Sequence, residues 1–176
     1  MFPAIANYGS NCEASCVTSC LPGWESVGDR CYFWSNEWKN WFEAEETCKS
    51  YHGHLASVTN QTILNYMMSK KKQVWIGSTD LNGEWVWTDC SFWDFHSGWK
   101  WGEPSGSHPH NGVPEDCMEY LQTAEEWTGR YYKHSYLWND NWCYRQQEFV
   151  CSQEICAVEN KSKNNDLVVD FSNPNI

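Results

Sequence analysis

Basic residues are scarce in this chain: 12 Lys and Arg stand against 23 Asp and Glu, for a formal net charge of −11 over 176 residues. A field of that sign repels phosphate backbones and anionic headgroups and favours cations, so nucleic acid and membrane surfaces are not expected partners. Long apolar runs are missing too; none approaches the roughly 20 residues that a membrane-spanning helix needs. Residues 1–6 are too short for the apolar core of a signal peptide, so a mature or recombinant form is expected. Paired Cys-x-x-Cys knuckles are absent, which argues against a zinc ribbon. Neither a Gly-x-Ser-x-Gly elbow nor a nucleophile fixed beside a base can be named, so an enzyme is not expected. His108-Pro109-His110 with Glu115 has a faint look of zinc, but no third ligand follows at helical spacing, and the histidines read as solvated loop residues.

What the chain does have is cysteine and aromatic surface. Ten cysteines in so short a chain fit an oxidising compartment, so disulfides and a secreted, extracellular location are expected. Thirteen tryptophans and nine tyrosines imply a core rich in flat rings, with a few left to line a ligand site. The length suits one domain with extensions. Residues 1–19 form a polar leader that carries Cys12 and Cys16. Residues 157–176 form an Asn- and Ser-rich tail, mobile or adding an edge strand through Leu167, Val168 and Val169.

Between them, residues 20–156 alternate in period. Cys20 and Cys31 flank a Ser/Gly turn and read as a stapled hairpin. Trp41, Phe42, Ala44, Glu45, Cys48 and Tyr51 predict an amphipathic helix with Gly53 as its stop. Thr59 or Asn60 caps a second helix whose apolar face is Ile63, Leu64, Tyr66, Met67 and Met68, with Lys70, Lys71 and Lys72 at its end. Strands are predicted at 74–77, 84–88, 117–120, around Trp138, and at 148–151. Residues 89–116 are dense in Gly, Pro, Ser and His, and a connection of that length is usually functional.

Three clusters of oxygen-bearing side chains follow one another from that loop onward: Glu103-Pro104-Ser105, Glu115-Asp116 before Cys117, and Asn139-Asp140-Asn141 before Cys143. Calcium takes about six to eight oxygen ligands from such side chains and carbonyls, and distant segments can supply them together. Ca2+ is therefore the expected cofactor.

These clusters sit in an ordered series of matches. The hairpin Cys20–Cys31, Ala44-Glu45-Glu46-Thr47-Cys48, Gly53-His54-Leu55-Ala56-Ser57, Trp75-Ile76-Gly77, Trp85-Val86-Trp87-Thr88, Glu103-Pro104, Glu115-Asp116-Cys117, Trp138-Asn139-Asp140 and Phe149-Val150-Cys151 together resemble a long-form C-type lectin-like domain over about residues 20–152. The resemblance implies an α+β fold of two helices and two small antiparallel sheets, with a long loop region that bears the ligand site. It implies the pairings Cys20–Cys31, Cys48–Cys151 and Cys117–Cys143. The second closes a loop of about 100 residues, worth about 4.7 kcal/mol in the chain-entropy model. Because the domain ends come close together in that fold, Cys16–Cys156 is expected as a fourth pair. Cys12 and Cys90 are left over and available for a link between chains in a homodimer.

The resemblance further implies that Glu103, Ser105, Glu115, Asn139 and Asp140 hold one calcium, with two adjacent sugar hydroxyls completing its coordination. Pro104 is then expected to be cis. Ser105 departs from the pattern: members that favour mannose carry Glu-Pro-Asn there and those that favour galactose carry Gln-Pro-Asp. The Gly- and His-bearing loop 105–112 is similar to one that steers a ring against galactose, so galactose-type glycans are the expected partners. Trp101, His108, Trp127, His134 and Tyr136 are the candidate stacking rings. Mannose- or fucose-type binding is the alternative, as is a sugar-independent module that binds ice, mineral or protein. Asp80, Glu115 and Asp116 match a second calcium site, although Asn82 and Gly106 stand where carboxylates often help. Asn60-Gln61-Thr62 and Asn160-Lys161-Ser162 have the acceptor pattern for N-glycosylation.

Overall fold

The computed structural model describes residues 16–93, 98–99, 102–108, 112–122 and 136–156. Among the described residues, nine strands and two helices run in the order β1 (Cys16–Val17), β2 (Glu25–Val27), β3 (Arg30–Trp34), α1 (Trp41–Ser50), β4 (His54–Leu55), α2 (Gln61–Lys70), β5 (Val74–Thr79), β6 (Val86–Trp87), β7 (Cys117–Gln122), β8 (Tyr136–Asn141) and β9 (Val150–Ile155). They form two sheets. One has the order β1-β9-β3-β2, with β4 also on β9; the other has the order β6-β5-β7-β8. All pairs are antiparallel except β1 with β9, which run parallel.

The last strand thus lies at the centre of the sheet that the first strands begin. Cys48–Cys151 ties α1 to it, Cys16–Cys156 joins the two ends of the described domain, and Cys20–Cys31 staples the β2–β3 hairpin. Cys117–Cys143 spans the second sheet and the segment that follows β8. Cys90 is disulfide-bonded as well. The interchain link expected through it is therefore not open, a correction to the reading of Cys90 as a spare thiol; Cys12 lies outside the described residues.

Local signals explain the helices. Asn40 caps α1 by accepting from Glu43 N–H at 2.9 Å, while Glu43 accepts from Asn40 N–H at 3.1 Å, a reciprocal box that satisfies two end donors. The stop at the other end is divided between two residues. His52 takes the left-handed turn at φ 61°, whereas Gly53 is needed for space, since a Cβ there would stand 2.4 Å from Ser152 O. Of the two caps expected for α2, Asn60 is the one used, accepting from Ile63 N–H at 3.0 Å. Lys71 closes that helix in the left-handed region at φ 55°.

Two apolar clusters fill the interior. Trp41, Leu55, Trp75 and Phe149 gather around the disulfides of Cys48 and Cys117, while Val58, Ile76, Trp87 and Trp138 form the second with Leu64 and Met67 of α2. Every residue of β5 is buried, as expected of a strand covered on both faces. Glu45, inside α1, is fully buried and satisfied: Leu55 N–H donates to it at 2.9 Å and His54 Nδ1 lies 2.7 Å away. Arg30 reaches from β3 to Asp89 at 2.6 Å, with Ser57 donating to the same oxygen at 2.6 Å. That network fixes the point where the long loop leaves β6.

Backbone crossing between β4 and β5 is unusually close. A Cβ on Gly77 would stand 2.2 Å from Leu55 O, so the two strands must part to admit one. Gly77→Ala is expected to cost about 3 kcal/mol, within the range for overpacking. A thermal melt checks this, the midpoint falling by roughly 6–12 °C for a chain of this size.

Candidate functional site

The connection from β6 to β7 folds back on itself. Ser107 and Pro114 form an antiparallel bridge, His108 N–H donates to Val113 O at 2.9 Å, and Glu115 N–H donates to Gly106 O at 3.3 Å. Gly106 and Gly112 turn the chain at φ 72° and 64°, conformations in which a side chain would be strained. This narrow return sets Ser105 beside Glu115. The Glu103–Pro104 peptide is cis.

Asp140 arrives from β8. Its position depends on Trp138, two residues earlier, which is fully buried. Trp138 N–H donates to Gly98 O at 2.6 Å, and a Cβ on Gly98 would stand 2.2 Å from the indole. The rings of Trp87, Trp93 and Trp99 surround it with centroids 5.6, 5.7 and 6.0 Å away. Four of the 13 tryptophans are thus committed to holding this strand in place.

Ser105, Glu115 and Asp140 meet. The Ser105 hydroxyl lies 3.1 Å from Glu115 Oε2 and 3.4 Å from Asp140 Oδ2, and its single proton can go to either. Gly106 N–H also donates to Asp140 Oδ2 at 2.6 Å. Asp140 Oδ1 is buried and has no hydrogen-bond partner among the described residues, as does Asp80 Oδ1. Asp80 lies behind this group, its N–H donating to Asp116 O at 3.1 Å, while Thr79 Oγ1 donates to the same carbonyl at 2.7 Å.

Gathering these carboxyls has an electrostatic consequence. Burial first, then the charges of Asp116 and Asp140, push Asp80 up to about 6 against the pull of its own backbone. Burial and Asp140 raise Asp116. Glu115 is raised chiefly by burial, with Asp140 and Glu119 adding, while the Ser105 hydroxyl and His108 pull the other way. Among the described residues no three His, Cys, Asp or Glu side chains close around one point. The shared point belongs to two carboxylates and a hydroxyl. An all-oxygen set with an orphaned buried carboxylate oxygen fits a hard cation such as calcium and not a soft one.

Asn139 is placed differently. Its amide donates to Glu119 Oε1 at 3.0 Å and to Asp140 O at 2.7 Å. Glu119 is the residue that sequence reasoning passed over. It is 1% exposed and accepts from Asn139, from Asn141 at 2.8 Å and from Gln73 at 2.9 Å, with Arg145 Nη1 3.7 Å away. The signal was a charged residue in the otherwise apolar Cys117-Met118-Glu119-Tyr120 run, since a buried carboxylate needs partners. Glu103 is half-buried next to the cis bond, and His108 is half-buried near Glu115. Trp101, Trp127 and His134 lie outside the described residues, and Tyr136 is placed by its backbone in β8.

Comparison with known proteins follows the same architecture. The family model for the lectin C-type domain matches residues 37–153. Asialoglycoprotein receptor 2 of Mus musculus is 29% identical over 143 residues, covering 77% of this chain and 43% of the receptor. The galactose-specific lectin nattectin of Thalassophryne nattereri is 28% identical over 156 residues, covering 84% of this chain and 88% of nattectin. Among solved structures, the trimeric Kupffer cell C-type lectin receptor Clec4f is similar with a TM-score of 0.62 at 28% identity, covering 74% of this chain and 82% of that one. The chain spans less than half the length of the mammalian receptors it matches.

Two outcomes are expected. A carboxyl raised by folding binds its proton more tightly in the folded state, so in chelator stability is lost as pH rises from about 4 through 6. Asp80→Asn should therefore melt higher than the parent in chelator at pH 7.4, with the advantage shrinking toward pH 4, as differential scanning calorimetry would read. Glu119→Ala should leave the half-buried amides of Asn139 and Asn141 short of an acceptor, while exposed Gln73 turns to water, and cost about 2 kcal/mol in urea unfolding, at about 1 kcal/mol for each.

Proposed function

The chain belongs to the C-type lectin domain family, and from that premise we propose that it is a calcium-dependent lectin that binds galactose-type glycans. The family binds and does not catalyse, so no reaction is assigned. One observation carries the reading: carboxylates from two separate segments meet at the Ser105 hydroxyl, with a buried Asp140 oxygen left without a hydrogen-bond partner among the described residues. Acidic oxygens brought that close are costly unless a cation shares them.

Glu103, Ser105, Glu115, Asn139 and Asp140 would hold the ion, and Asp80 and Asp116 with Glu115 would hold a second. When bound, calcium neutralises these carboxylates and offers coordination positions to two neighbouring sugar hydroxyls. The protein's part would then be to accept hydrogen bonds from those hydroxyls on Glu103 and Glu115. Charge-assisted bonds of that kind are about twice as strong as neutral ones. Asn139 supplies its carbonyl oxygen on this reading, its amide being anchored on Glu119.

Galactose-type recognition is supported by the relative named a galactose-specific lectin and by the Gly-rich return of residues 105–115. Ser105 has one proton and no amide, so it cannot give the sugar the donor that asparagine gives in mannose-type members. His108, beside Glu115, is the described ring best placed to meet a sugar's C–H face. Secretion is supported by the disulfides, and among the described residues no helix is long and apolar enough to cross a membrane. One sugar site per chain makes association of copies the route to strong binding. We read the assembly as a homodimer without a Cys90 link.

Retention on immobilised galactose should be abolished by chelator and restored by calcium. Glu115→Gln and Asp140→Asn should each weaken it by more than about tenfold, at least the loss seen when an outer partner of a metal site is removed. Ser105→Asn should shift preference toward mannose. Retention that is indifferent to chelator sinks the calcium reading; elution by mannose and not galactose sinks the specificity.

A further inference from the structure

We propose that Asn60 is an N-glycosylation site, on an exposed helix start that the sugar-binding reading does not use. Asn60-Gln61-Thr62 is an acceptor triplet with a non-proline middle residue, and all three residues are exposed. Exposure is the first requirement, because the attached oligosaccharide must remain in water after the chain folds.

The second requirement is that the linkage atom not be needed by the fold. Asn60 caps α2, but through its oxygen: Oδ1 accepts from Ile63 N–H at 3.0 Å. An N-linked glycan is carried on the other amide atom, Nδ2, and leaves that oxygen in place. The cap and the modification therefore use opposite ends of one amide and can coexist. The middle residue stays out of the way, since Gln61 Nε2 donates along the helix to Asn65 Oδ1 at 2.8 Å. Ile63, Leu64 and Met67 turn inward, so a glycan at the first turn leaves the buried face of α2 untouched.

The compartment is supplied by a different feature. Disulfides such as Cys48–Cys151 and Cys16–Cys156 form in the oxidising lumen of the secretory pathway, where this transfer takes place on chains about to fold. In the step itself, the Asn60 amide nitrogen bonds to the anomeric carbon of an oligosaccharide carried on a lipid diphosphate. The bond from that carbon to the diphosphate breaks, the lipid diphosphate leaves, and the amide nitrogen gives up one proton. No electron changes hands.

The test uses the full chain secreted from eukaryotic cells. Enzymatic release of N-glycans in heavy-oxygen water should leave a labelled aspartate at position 60 in the peptide mass spectrum, a readout separate from the second triplet at Asn160. Thr62→Ala removes the acceptor pattern but keeps the capping amide. Asn60→Asp removes the linkage but keeps a capping oxygen. Both should lose one glycan's worth of mass on gels and melt close to the enzymatically deglycosylated parent. Asn60→Gln should lose the same mass and melt lower, because it loses the cap as well. A secreted, disulfide-bonded chain whose residue-60 peptide is unmodified overturns the proposal, as does an unchanged glycan pattern in Thr62→Ala and Asn60→Asp.

Discussion

Like charges must be held together in this molecule against their own repulsion, and most of its distinctive architecture meets that demand. Asp80, Glu115, Asp116 and Asp140 come from the end of β5, the approach to β7 and the end of β8. Burial first, and then the neighbouring charges, raise the proton affinities of Asp80, Glu115 and Asp116. A pile of carboxylates cannot organise itself; its backbone must be fixed by something else. Two devices do this. Pairing of β7 with β8 sets Met118 opposite Asp140 and Glu119 opposite Asn139, and the Cys117–Cys143 disulfide prevents the two segments from parting.

Side chains finish what the backbone begins. On one side, Trp138 is caged by other indoles and pressed against Gly98, so β8 cannot slide without breaking a packed aromatic group. On the other, Glu119 collects the amides of Gln73, Asn139 and Asn141. A buried carboxylate with several donors is stable where a lone one would not be, and removing it would leave the donors unsatisfied. The same molecule thus holds two kinds of buried acid. Glu119 and Glu45 are satisfied by protein donors, whereas Asp140 keeps an oxygen without one among the described residues. On the proposed reading, that contrast, more than the number of acids, would separate a structural carboxylate from one that meets a ligand.

Periodicity made the helices readable before any coordinates. Asn40, Asn60 and the apolar faces of α1 and α2 carry local chemistry, and local chemistry is written in neighbouring residues. The oxygen clusters at 103–105, 115–116 and 139–140 were legible as residue types, and the cis bond at Pro104 followed from the resemblance. Other features were not readable because they depend on residues far apart. Gly53 looked like a helix stop, yet its space is dictated by Ser152, about a hundred positions away, and the helix-ending turn falls on His52. Cys90 looked spare because a cysteine's partner is a matter of three-dimensional proximity. Glu119 was half legible: its charge in an apolar run signalled a need for partners, but the amides that converge on it come from Gln73, Asn139 and Asn141, far along the chain.

Serine at position 105 has a consequence that an amide would not. Its hydroxyl has one proton and two carboxylates within reach, so the cation-free site has an internal donor that quiets some of the repulsion. An asparagine there would bring a donor and an acceptor fixed at the two ends of a planar group. Serine brings an oxygen whose proton can rotate away, leaving its lone pairs toward a cation. The shorter side chain should therefore cost little in holding the protein together without metal. What it gives up is a directed donor toward a bound sugar. Discrimination among sugars must then come from the surrounding surface: the turn through Gly106 and Gly112, His108 beside Glu115, and whichever rings the flanking loops bring up. On the proposed reading, a lectin domain built this way would separate its two tasks, with the acids gripping the ion and the loop choosing the glycan.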